Sequence, residues 1–121
     1  MKVCIISHFA YGAMTGGATG HIGGVERQTT MLARWLARRD HEVTLLTWDE
    51  GQGNHSCCGL PESAGGRVAT VLISPQVKSN FQDETPYSHY SILKTIVEAW
   101  DLPALGHAAD TETSLIAAPW K

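Results

Sequence analysis

A chain of 121 residues with 12 Gly and 5 Pro, 43% hydrophobic and 17% charged, has ordinary globular composition at the size of one small domain, which excludes disorder, collagen and coiled coil. Its formal charge is -3, from 9 Lys and Arg against 12 Asp and Glu, with no basic stripe, so neither nucleic acid nor an anionic membrane surface is expected as a partner. The apolar runs Val3–Ile6 and Val71–Ile73 fall far short of the ~20 residues that cross a bilayer, so no membrane span is expected. Met1–Ile6 opens like a signal peptide but stops at Ser7-His8, before an apolar region of about 7–15 residues is filled, which points to the cytoplasm. Cys4, Cys57 and Cys58 form neither a disulfide framework nor a metal spacing, and free thiols are expected.

Residues Lys2 to His8 are mostly apolar and rich in β-branched side chains, the composition of a strand covered on both faces. Tyr11 to Glu26 holds six glycines and reads as a loop that ends in Gly23-Gly24. Val25, Leu32, Trp35 and Leu36 then recur at helical spacing among charged residues, predicting an amphipathic helix from Gly24 to Arg39 with Trp35 in the core. Glu42 to Trp48 is a second strand. A β-α-β unit pairs its strands in parallel with a right-handed crossover, so the class is α/β, Rossmann-like.

Asp49 to Gly66 has neither period and reads as loop. Arg67 to Ser74 is a strand ended by Pro75, and Thr85-Pro86 or Ser88 can cap a helix whose Ile92, Leu93, Ile96, Val97 and Trp100 share one face. Leu102-Pro103 stops that helix. The Ala-rich tail from Ala104 has weak helical signals at Thr111 to Ala117 and receives no assigned structure.

The candidate chemistry starts at the first helix. Backbone N–H groups at Gly23 and Gly24 can approach a phosphate closely, and a helix N-terminus favours negative charge. Glu26 in the first turn is either part of that site or a carboxylate that stabilises the helix dipole. His8, His21, His41, His55, His89 and His107 are dispersed, without the pairing that makes zinc sites, so no metal is expected. No catalytic triad can be placed from spacing.

Two resemblances extend this reading. Lys-Val-Cys-Ile-Ile-Ser-His, Gly-Gly-Val-Glu-Arg-Gln and the run from Leu32 to Thr47 make residues 1–53 resemble the start of family 4 glycosyltransferases. That resemblance implies two Rossmann-like domains facing across a cleft, with Gly23 and Gly24 beside the donor diphosphate and Glu26 behind them. Asp40 stands where that family carries Gly. Residues 64–121, through Ala64-Gly65-Gly66-Arg67-Val68, Thr85 to Ile96 and Leu102 to Gly106, resemble the C-terminal end of the phospholipase C and acid phosphatase type of phosphoesterase. Those enzymes are similar to alkaline phosphatases and use carboxylate-bound metal with a hydroxyl nucleophile on phosphate esters. The carboxylate-rich motifs of that site are absent here, and Asp101 again replaces a Gly. His89 and Ser91 match the family's His-x-Ser, while taken alone they read as a solvated imidazole and a helix cap.

The resemblances divide the chain into residues 1–53, a linker at 54–63, and 64–121, each piece incomplete relative to its family. The first expectation is a partial glycosyltransferase acting from a nucleotide-activated sugar, inactive alone. The alternatives are a phosphoesterase fragment hydrolysing phosphate esters and a non-enzymatic α/β fusion product. The expected partner is a nucleotide-sugar or other phosphate-bearing small molecule, bound weakly, with no cofactor. Self-association is expected through two apolar faces, Leu32, Trp35 and Leu36 on one helix and Ile92, Ile96 and Val97 on the other.

Overall fold

The computed structural model describes residues 1–8, 10–16, 23–48, 51, 53, 54, 56–63 and 65–121. Its class is α/β, as expected. The chain divides into two compact units, Met1–Gly51 with Val68–Val77, and Gln52–Arg67 with Lys78–Lys121.

The first unit holds β1 (Lys2–His8), α1 (Ala10–Thr15), α2 (Gly24–Ala37), β2 (Glu42–Trp48) and β3 (Thr70–Ile73). β1 and β2 are parallel, in register from Lys2 opposite Glu42 to His8 opposite Trp48. β2 is the middle strand. Its Leu45, Leu46 and Thr47 are buried, which is why this strand lacks the alternation of a half-exposed one. β3 joins the other edge antiparallel, with Leu45 opposite Ile73 and Trp48 opposite Thr70, and the Thr44 hydroxyl donates to Ser74 Oγ at 2.8 Å just beyond it.

α1 lies inside the segment read as a loop. With six residues and a glycine it carries little helical signal, and it is held by a tertiary bond, from the Ala10 N–H to Thr47 Oγ1 at 2.9 Å. α2 corrects the expected face. Thr30 and Ala33 are buried, whereas Val25, Met31, Leu32 and Trp35 are exposed, because the small side chains permit close approach to neighbouring elements and the bulky ones fall on the opposite side. Trp35 is 50% exposed rather than core, with the Arg39 guanidinium 3.9 Å from its ring centroid. The buried Thr30 hydroxyl has no hydrogen-bond partner among the described residues. α2 ends at Ala37 because Asp40 turns left-handed, at φ 57°, while the Asp40 and His41 N–H groups donate to the Ala37 and Leu36 carbonyls.

In the second unit, Cys57 and Cys58 are joined by a disulfide, against the expected free thiols, and Cys4 is the free cysteine. α3 (His89–Ala99) follows the N-cap Ser88 and buries Ile92 and Val97. Trp100, expected in the core, is 54% exposed just past its end. Asp101 there repeats the turn of Asp40: its φ is 52°, and the Asp101 and Leu102 N–H groups donate to the Glu98 and Val97 carbonyls.

The tail is ordered as a cover rather than as a helix. A 3-10 helix spans Gly106–Ala109, residues 111–117 contain no helix, and Ala108, Thr113 and Ile116 are buried. The Ile116 N–H donates to Thr95 Oγ1 at 3.0 Å, and Lys94 Nζ donates to the Asp110 and Thr113 carbonyls at 3.0 and 2.9 Å. Side chains and main-chain bonds between distant residues thus fix this segment, and no sequence period reports such bonds. The α3 face expected to drive association is accordingly buried at Ile92 and Val97. No helix of the described residues is long and apolar enough to cross a membrane.

Candidate functional site

Both sequence-derived sites lie at helix starts, one in each unit. Gly23 is the N-cap of α2, with φ -83° and ψ -177°, and Gly24 is its first residue. Neither has the positive φ that would require glycine. What Gly23 does permit is a close approach: a Cβ built there would sit 2.6 Å from Glu26 Oε2. The Glu26 carboxylate therefore lies over the start of its own helix, in the electropositive region that a phosphate would take. Gly23, Gly24 and Glu26 thus share the first turn of α2, where the carboxylate would compete with an anionic ligand.

At α3, Ser88 and Ser91 close a capping box, the Ser88 N–H donating to Ser91 Oγ at 3.2 Å. Ser91 is 1% exposed and its hydroxyl accepts that capping bond, so it positions the turn and is not presented as a nucleophile. His89, the first residue of the helix, is exposed. The next residue, Tyr90, sets its ring edge-on to His107, with centroids 5.0 Å apart, and His107 Nδ1 lies 2.8 Å from Asp110 Oδ2. His107 is one of the six histidines dispersed along the sequence, and its His-x-x-Asp spacing is the signal that could have found this pair. An imidazole held by a carboxylate can pass a proton from its other nitrogen.

The segment leading into α3 is braced by one carboxylate. Asp83 Oδ1 accepts the Thr85 N–H at 3.0 Å and Oδ2 accepts the Tyr87 hydroxyl at 2.9 Å. The bonds from Thr85 hold the Asp83 carboxyl below its ordinary range. Burial, followed by the Asp83 bond, pushes the Tyr87 phenol up. Among the described residues, an open depression of ≈ 540 Å3 in the same unit is lined by Asn54, Ser56, Glu62 and Ser63.

The carboxylate-held metal implied by the phosphoesterase resemblance does not fit the described residues. They contain no group of three or more His, Cys, Asp or Glu side chains able to hold an ion, and Asp83 and Asp110 are engaged as above.

The sequence profile of the phosphoesterase family matches residues 23–103. The match starts at Gly23, within the segment that resembles glycosyltransferases, and runs through α3. Among curated proteins, a phosphatidylinositol-3-phosphatase of Mycobacterium tuberculosis is 28% identical over 86 residues, covering 71% of this chain and 25% of the relative. The chain therefore spans about a quarter of that relative's length. No solved structure matches. Both matches fall on the phosphoesterase side, and neither supports the glycosyltransferase resemblance.

Proposed function

We propose, because this chain belongs to the phosphoesterase family, that it forms part of an enzyme that hydrolyses phosphate esters, with residues 64–121 as the C-terminal end of that hydrolase. The observation that carries this reading is the extent of the family match, which takes in β2, β3 and the whole of α3. Its substrates are phosphate-bearing small molecules, phosphoinositides among them, in line with the name of the mycobacterial relative.

Hydrolysis of a phosphate ester needs a nucleophile, charge to stabilise the phosphoryl oxygens, and a proton for the leaving alcohol. The residues described here address the last two. His89 stands at the first position of α3, where the helix dipole favours an anion, and its imidazole can hold a proton next to the ester oxygen. Ser88 and Ser91 fix that turn. Among the described residues no group of three or more His, Cys, Asp or Glu side chains is placed to hold a metal, so that part of the family's chemistry is expected from elsewhere in the hydrolase.

A chimera tests this. Residues 23–103 of this chain, the span of the family match, replace their counterpart in the mycobacterial phosphatase, and phosphate release from a chromogenic monoester is measured. Release that falls at least tenfold in the His89→Ala chimera supports the reading. A folded, monodisperse chimera that releases no phosphate contradicts it.

Sugar transfer from a nucleotide-activated donor is the second reading. The observation favouring it is the parallel β1–α2–β2 crossover with Gly23-Gly24 at the start of α2. Multiple turnovers of a nucleotide-sugar by the chain would establish it over the first.

A further inference from the structure

We propose that the Cys57–Cys58 disulfide is a thiol–disulfide exchange site that takes small dithiols and reports its state to the start of α3. The two cysteines are adjacent, and each sulfur lies near a backbone carbonyl oxygen. Cys57 Sγ lies 3.5 Å from the Tyr87 carbonyl oxygen, and Cys58 Sγ lies 3.3 Å from that of Pro86. A disulfide sulfur has no proton to donate, so in the oxidised form these are plain contacts. In the reduced form each sulfur carries an S–H already within hydrogen-bond reach of a carbonyl. The fold thus offers a partner to each of the two protons that reduction brings.

The local backbone gives the two states different demands. Cys57 to Leu60 is a tight turn closed by the Leu60 N–H on the Cys57 carbonyl at 3.1 Å. Its central residues, Cys58 at φ 66° and Gly59 at φ 76°, are both left-handed, which glycine tolerates and cysteine resists. The ring formed by the disulfide restrains Cys58 in that conformation. Opening the ring frees Cys58 to leave it, and the carbonyls of Pro86 and Tyr87 are where the change is felt, directly before the N-cap Ser88. Neither sulfur is fully buried, so a small thiol can reach the bond.

One thiolate of the dithiol attacks a protein sulfur, the S–S bond breaks, and a mixed disulfide forms while the other protein sulfur leaves as thiolate and takes a proton. The second thiolate of the reagent attacks the mixed disulfide and releases the remaining protein sulfur, which is protonated in turn. The dithiol ends as a cyclic disulfide, oxidised by two electrons, and the protein gains two electrons and two protons.

The test uses the intact chain purified in air. Alkylation of the denatured protein should modify one cysteine, Cys4, before treatment with dithiothreitol and three afterwards, with an intact-mass gain of two hydrogens before alkylation. Amide resonances of Tyr87 to Ser91 should shift on reduction and return on reoxidation. The Cys57→Ser, Cys58→Ser double variant should show neither change, and the wild-type measurements decide the matter if that variant fails to fold. Three alkylated cysteines without reductant would overturn the proposal. So would reduction whose amide shifts stay within Cys57 to Leu60.

Discussion

Glu26 turns its carboxylate back over the α-carbon of Gly23, so that a methyl group placed there would lie 2.6 Å from Oε2. A helix start covered in this way repels the anion that the glycine-rich entry invites. The wild-type chain should bind inorganic phosphate or a nucleotide diphosphate at α2 no better than about millimolar. Glu26→Gln should tighten it by roughly two- to fivefold, the worth of one charge at a helix end. Amide-shift titrations of both proteins check this, and weaker binding by the variant would mean that the carboxylate supports the ligand.

Asp40 and Asp101 occupy equivalent places, the left-handed residues that close α2 and α3. An L-residue other than glycine pays roughly 1–2 kcal/mol there, somewhat less for Asp, so Asp40→Gly and Asp101→Gly should each stabilise the chain by about 1 kcal/mol. Urea unfolding measures the gain. An unchanged midpoint in both variants would show that the Asp side chains compensate in place.

Tyr87 should titrate above the ordinary tyrosine range, and the sign of its effect on stability follows. A phenol that holds its proton more tightly in the fold stabilises fully below its unfolded pKa of about 10, and the gain fades as pH rises through the raised value. Asp83 runs the other way: its contribution holds above about pH 4 and fades as pH falls through the lowered value. Asp83→Asn should bring Tyr87 part of the way back, because burial is the larger cause. Phenolate absorbance during alkaline titration, with Tyr87→Phe to assign the signal, checks it, and an unmoved titration would contradict the Asp83 bond.

Self-association should run through α2 and not α3. Val25, Met31, Leu32 and Trp35 are at least half exposed, whereas Ile92 and Val97 are covered. Sedimentation should show association of the wild type that Leu32→Gln with Trp35→Gln abolishes. A monodisperse wild-type monomer would show that the Arg39 guanidinium over Trp35 and the surrounding charges suffice to keep this face apart.

The elements most legible in the sequence were those with a strong period or a dense apolar run: Lys2–His8 and Glu42–Trp48 have the expected bounds, and Ser88 caps α3. The two left-handed turns were legible as Asp40 and Asp101 standing where glycine is usual. What escaped depends on tertiary bonds. α1 rests on the Ala10–Thr47 bond, the tail on Lys94, Thr95 and Lys78, whose Nζ donates to the Ala118 carbonyl at 2.8 Å, and the buried side of α2 on small residues that hydrophobicity alone ranks low. The candidate residues at α3 were legible only by resemblance, and the His107–Asp110 pair had its His-x-x-Asp spacing as signal while its place beside Tyr90 is set by the tertiary fold.

Titration of the isotope-labelled chain with a phosphate monoester, and separately with a nucleotide-sugar, tests the phosphoesterase reading most directly. The monoester should shift the His89 imidazole and the amides of Ser88 to Ile92 more than any at the start of α2, and His89→Ala should remove those shifts. Shifts from the nucleotide-sugar centred on Gly23 to Arg27, with α3 unmoved by the monoester, would contradict it.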